Sequence, residues 1–107
     1  MRKITIDAVN AFHNGNKFKR GNTEVKTYPH SNYRELILHG NIIAELGEQG
    51  LYISSCGYPT MTTKERLNGI RGVNIEQKNW NWYLNGEYWD GSRIKVWERF
   101  FISKDLP

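Results

Sequence analysis

From Ile4 the apolar residues recur at helical spacing: Ile4, Ala8, Ala11 and Phe12 share one face, with Val9 beside them. Asn14-Gly15 then supplies a left-handed helix end. Ile4, Ile6 and Ala8 also alternate as a strand would, and the helix is the preferred reading. From Tyr33 the period changes to two. Leu36 and Leu38 alternate with Glu35, Ile37 and His39, Gly40-Asn41 forms a hairpin turn, and Ile42, Ala44 and Leu46 resume the alternation. A second turn over Gly47 to Gly50 leads into Leu51, Ile53 and Ser55 on one face, which predicts three consecutive antiparallel strands.

Pro59 ends the third of these, because it has no ladder donor and disfavours a helical Tyr58. A short helix over Thr63 to Asn68 follows. Thr62 stands three residues before Glu65, the spacing of a capping box; Leu67 and Ile70 face the core and Gly69 stops the helix. Val73, Ile75 and Gln77 alternate next. Asn85-Gly86 is a strong hairpin signal, Asp90-Gly91 marks another turn, and Ile94, Val96 and Glu98 alternate with Lys95, Trp97 and Arg99. The pattern as a whole predicts one α+β domain over residues 1–107. It has an N-terminal helix, an antiparallel sheet of about five to six strands, a short central helix, and a C-terminal aromatic hairpin that extends the sheet.

A chain of 107 residues can enclose one continuous core, and its 38% hydrophobic and 24% charged content is that of an ordinary folded protein. No apolar run approaches the roughly 18 residues that span a bilayer, and "MRKITIDAV" lacks the apolar stretch of a secretion signal. A cytoplasmic protein without membrane partners is expected. Cys56, the sole cysteine, fits a reducing compartment. The net charge of +4 is unevenly spread: residues 1–34 carry seven cations against Asp7 and Glu24, and residues 35–107 carry eight against nine anions. The positive excess in the first third suits either nucleic acid, an acidic protein surface or plain solvation.

Two groups of residues are candidates for binding. In "NGNKFKRGN", Asn14 to Asn22, an exposed loop presents Lys17, Lys19 and Arg20 around Phe18. It is either a solubilising loop with Phe18 tucked into the core, the simpler reading, or a phosphate grip with Phe18 stacked on a base. Lys64, Arg66 and Arg71 point away from the buried side of the central helix, either solvated or available to a partner. With the loop cations they could form one basic face. All four tryptophans fall between Trp80 and Trp97; Trp89 and Trp97 are expected inside, with Trp80 or Trp82 partly exposed beside the Asn79–Asn81 turn. The candidate contacts are therefore Lys17, Lys19, Arg20, Lys64, Arg66, Arg71, Trp80 and Trp82.

Catalytic chemistry finds less support. His13, His30, His39 and Cys56 lack metal-ligand spacing, and "NGNKFKRGNT" lacks that of a Walker loop. A Cys56–His39 nucleophile pair would need a setting that lowers the thiol pKa, and a small, inert cysteine is the commoner occurrence. No metal, cofactor or small-molecule substrate is expected, and no enzymatic activity.

The blocks "AFHNGNKFKRGNTEV", "LHGNIIAE", "ISSCGYPTMTTKERLNGI" and "WYLNGEYWDG", in that order, resemble small accessory proteins of tailed bacteriophages. In the central block the resemblance rests on Gly57, Thr60, Thr63, Arg66, Leu67 and Asn68. It covers nearly the whole chain and brings no catalytic residue with it. It implies a non-catalytic protein in the cytoplasm of an infected bacterial host, binding a host or defence-system protein complex; the alternative is a nucleic-acid-binding module with a basic face.

Overall fold

The apolar face at the start of the chain forms helix α1, Lys3–Asn14, which buries Thr5, Ala8, Val9 and Phe12. A computed structural model describes residues 1–96. Gly15 closes α1 at φ 72°, its N–H reaching back to Ala11 and Phe12 carbonyls, as the Asn-Gly pair predicts. The six-stranded antiparallel sheet follows the order β1-β2-β3-β4-β5-β9, from β1 (Phe18–Arg20), β2 (Thr23–Tyr28), β3 (Tyr33–Leu38), β4 (Asn41–Gly47) and β5 (Gly50–Ile53) to β9 (Ile94–Val96). Helix α2 (Met61–Asn68) intervenes, and β6 (Ile75–Lys78), β7 (Asn81–Leu84) and β8 (Glu87–Trp89) form a second sheet of three strands. The architecture is α+β, with both predicted helices.

Several local expectations are corrected. The segment from Asn14 to Asn22 is more than a loop: Phe18–Arg20 pairs with β2, and Phe18 packs against the core. The first hairpin turn uses the left-handed pair His39 and Gly40, one residue earlier than predicted. A bulge between β3 and β4 pairs Leu36 with Ala44 but Ile37 with Ile42, so Ile43 turns inward while Ile42 faces out, 40% exposed. Strand β5 ends at Ile53, well before Pro59. The hairpin of β7 and β8 turns at Asn85-Gly86 as expected, yet it joins β6 in a separate sheet and leaves β9 alone to extend the larger one. Trp97, Glu98 and Arg99 lie outside the described residues.

Helix α2 begins two residues before the expected start. Thr60 is the N-cap, its hydroxyl accepting from the Thr63 N–H at 3.1 Å, so the Thr62–Glu65 capping box does not form. Glu65 is occupied elsewhere. Leu67 and Ile70 do enter the core. Gly69 ends α2 in an ordinary right-handed conformation at φ −73°. Its role is steric, because a Cβ there would stand 2.8 Å from Val9 Cγ2 and 3.1 Å from Thr5 Cγ2. Glycine thus lets α2 end directly against α1.

That close approach frames a buried polar junction. Arg66, expected on the outside, is 1% exposed. Its Nε donates to Thr23 Oγ1 at 3.1 Å, and its Nη1 donates to Thr5 Oγ1 at 2.6 Å and to Glu65 Oε1 at 2.7 Å. Each threonine passes its own hydrogen onward, Thr5 to Glu65 Oε1 at 2.5 Å and Thr23 to Asn22 Oδ1 at 2.8 Å. Arg2 adds a pairing to Glu65 at 3.1 Å. Helix α1, helix α2 and strand β2 are thereby tied at one guanidinium. Burial, followed by the Arg2 charge, lowers the Arg66 pKa, while Glu65 opposes the shift. The Thr5 hydroxyl, and after it Arg2, hold the Glu65 carboxyl below the ordinary glutamate value against the opposing effect of burial.

Arg66→Ala leaves a cavity and removes the cation facing Glu65 and the threonine hydroxyls, and should lower unfolding stability by about 3 kcal/mol in urea denaturation. A second outcome concerns acid. Because the folded Glu65 pKa is depressed, its contribution is complete above the unfolded value of about 4.3 and is lost as pH falls through the folded value. Asp7, Glu45 and Asp90 are depressed as well, so the parent weakens in acid for several reasons. Glu65→Gln should be less stable than the parent at neutral pH, and the gap should narrow as the pH is lowered from about 5 to 3.

Candidate binding surfaces

Among the described residues, four connections contain two successive residues with left-handed backbone: His39-Gly40, Cys56-Gly57, Asn79-Trp80 and Asn85-Gly86. Such turns want glycine second, where a side chain is strained. Three of the four have it. The connection between β6 and β7 instead holds Trp80 at φ 71° with 91% of its surface exposed. A bulky residue with positive φ is an outlier, and here no burial compensates for it.

The surface behind Trp80 is aromatic. Alternation along β6, β7 and β8 sends Ile75, Trp82, Leu84 and Trp89 inward to the core and Glu76, Lys78, Tyr83 and Tyr88 outward. Tyr83 and Tyr88 meet edge to face at 6.1 Å, Lys78 Nζ lies 5.9 Å from the Tyr83 ring, and Tyr88 is 63% exposed. Trp82, expected as a possible surface contact, is 6% exposed and packs on Trp89 with ring centres 6.0 Å apart. Period two explains the sorting: Trp82 shares the face of Leu84, and Trp80 escapes it by sitting in the turn. Trp89 is buried as expected and donates to the Ser92 carbonyl at 2.8 Å.

The predicted cations do not act as one group. Arg66 is internal. Arg20 pairs with Asp7 at 2.8 Å and lies 5.0 Å over the Phe18 ring. Arg71 is exposed, its backbone N–H donating to His13 Nε2 at 3.2 Å; burial, then Arg71 and Arg34, lowers the His13 pKa and so favours the neutral ring that can accept. Lys64 is half-buried on α2. Lys17 and Lys19 border a groove of about 480 Å³ together with Lys26 and Tyr28, two residues that the sequence pattern did not single out.

On the sheet face opposite the helices, Glu35 and Glu45 are direct cross-strand partners. The Tyr33 hydroxyl lies 2.7 Å from Glu45 Oε1 and 3.0 Å from Glu35 Oε2. Tyr28 donates to Glu35 at 3.1 Å, and Arg93 donates to Glu45 at 2.9 Å while stacking 4.1 Å above Tyr52. Burial first, then the two carboxylates, pushes the Tyr33 phenol far above the ordinary tyrosine range. Arg93 and Tyr33 overcome burial to hold Glu45 low. Cys56 donates its S–H to the Ile42 carbonyl at 2.9 Å, and His39 Nε2 faces Asn22 Nδ2 at 3.4 Å, so each member of the considered nucleophile pair is engaged with another group. Among the described residues no cluster of three metal-ligating side chains forms, and no helix is long and apolar enough to cross a membrane.

Replacing Trp80 with glycine removes left-handed strain without uncovering any packed surface. Trp80→Gly should therefore stabilise the fold by about 0.5–1 kcal/mol, after allowing for the greater freedom of glycine in the unfolded chain. Thermal unfolding followed by circular dichroism measures it, and acrylamide should quench the Trp80 part of the native fluorescence in the parent alone.

The model of the family described as Kyanoviridae Gp96 protein matches residues 1–104. No curated protein and no solved structure matches the chain. The match spans both sheets and both helices, and it agrees with the phage origin that the resemblance implies. The chain belongs to the Kyanoviridae Gp96 family of cyanophage proteins.

Proposed function

We propose that this protein is a non-catalytic phage accessory protein that binds a host protein, a component of a defence complex included, and blocks or redirects it. The observation that carries the reading is Trp80, 91% exposed in a turn position where glycine would be easier to accommodate. An aromatic side chain presented on a short turn can enter a pocket of the partner and bury most of its area there, which is how interface hot spots act. Tyr83 and Tyr88 would flank the anchor. The two strands beneath are tied to β8 and to the core through Trp82 and Trp89, so little ordering remains to be done on binding. The engagement of Cys56 and His39 with other groups favours binding over nucleophilic chemistry.

Tagged protein and its Trp80→Gly variant should be passed through lysate of a cyanobacterial host. The parent should retain one stoichiometric protein, and the variant should bind that protein about 30-fold more weakly, the equivalent of about 2 kcal/mol for a hot-spot residue. Stoichiometric recovery of nothing, or equal recovery by both forms, would reject the reading.

A further inference from the structure

We infer a second binding site, at the β1 edge of the larger sheet and independent of Trp80, which stands in a turn of the smaller sheet: the groove along β1 and β2 takes the backbone of single-stranded nucleic acid. Many of the described cations are already engaged. Arg2 pairs with Glu65, Lys3 and Arg20 with Asp7, Arg66 with Glu65 and Arg93 with Glu45, while Arg34 donates to the Phe12 and His13 carbonyls at the end of α1. The side chains of Lys17, Lys19 and Lys26 have no ion-pair or hydrogen-bond partner among the described residues, and all three are exposed. They border the same groove.

The register explains the convergence. Lys19 lies opposite Glu24, and Lys26 follows two residues along β2 on the same face, away from the helices. Lys17 enters from the end of β1. Tyr28, the next residue on that face, is 43% exposed; its hydroxyl is fixed to Glu35 and its ring leans on Tyr33 at 5.5 Å. Three unpaired ammonium groups along a groove attract a string of phosphates, and an aromatic ring held from behind offers a base a surface for stacking. Glu24, directly opposite Lys19 and lining the groove, and Glu35, directly opposite Lys26, stand on the same face among the lysines, and they disfavour a ligand carrying negative charge across its whole width. A single strand, with phosphates on one side and neutral bases on the other, meets that constraint.

The test is fluorescence anisotropy of labelled single-stranded DNA and RNA across a salt series, with duplex DNA and poly-glutamate as competing arms. Single strands should bind with Kd near 10⁻⁵ M, within the range of about 10⁻⁴ to 10⁻⁶ M for non-specific contacts, and log K should fall against log salt with a slope of about −2 for three phosphates. Lys19→Gln with Lys26→Gln should lower affinity by at least about tenfold and reduce the slope to about −0.7. Lys64→Gln with Arg71→Gln, which removes the same charge elsewhere, should bind as the parent does, and so should Trp80→Gly; circular dichroism establishes that each variant is folded. No binding at low salt, equal loss in both double variants, or equal binding of poly-glutamate overturns the inference.

Discussion

The arrangement of the whole molecule depends on one buried guanidinium. Arg66 is the point at which α1, α2 and β2 are held together, and its environment is complete only when Thr5, Thr23 and Glu65 arrive from those three elements. Apolar contacts alone would tolerate α2 sliding along α1, since burial has no preferred direction. A charge removed from water tolerates no such freedom, because any displacement strands a donor. Gly69 supplies the complementary steric condition, letting the end of α2 rest on Val9 and Thr5.

With that junction inside, the helices cover one face of the larger sheet and the smaller sheet closes the core beside them. What is left outside is divided. The hairpin carries exposed aromatics on a firmly supported base, whereas the β1 edge of the larger sheet carries lysines that form no ion pair among the described residues. The two proposed partners, a protein and a nucleic-acid strand, would call for these different surfaces, which lie on different sheets. The strain at Trp80 belongs to this division: the turn gives up backbone comfort to hold an aromatic ring clear of its own core.

Much of the fold is legible in the sequence where pattern and punctuation agree. Helix α1 has both its apolar face and its Gly15 end, and the Asn85-Gly86 hairpin has both alternation and its turn pair. Strand β2 is hard to see because its inward residues, Thr23, Val25 and Thr27, differ little in polarity from Glu24, Lys26 and Tyr28 outside. The bulge at Ile43 leaves no mark in a run of apolar residues. The burial of Arg66 is hidden for a more general reason: charge alone predicts exposure, and the hydroxyls that make its burial possible lie 43 and 61 residues away. The candidate site was legible in part. Trp80 is marked by its place between two asparagines, but only backbone geometry reveals that its position is left-handed, and only strand pairing brings Lys26 onto the same face and groove as Lys19.

The Tyr33 hydroxyl has a consequence of a different kind. It stands within bonding distance of two carboxylates but owns one hydrogen, which can be directed to Glu45 or to Glu35 and never to both. Neither acid depends on it entirely, since Arg93 remains with Glu45 and Tyr28 with Glu35. Rotation of a single O–H bond therefore exchanges two hydrogen-bonding patterns without moving a heavy atom. An otherwise fixed patch of sheet keeps a small residual entropy, and its local dipole can turn toward whichever charge approaches.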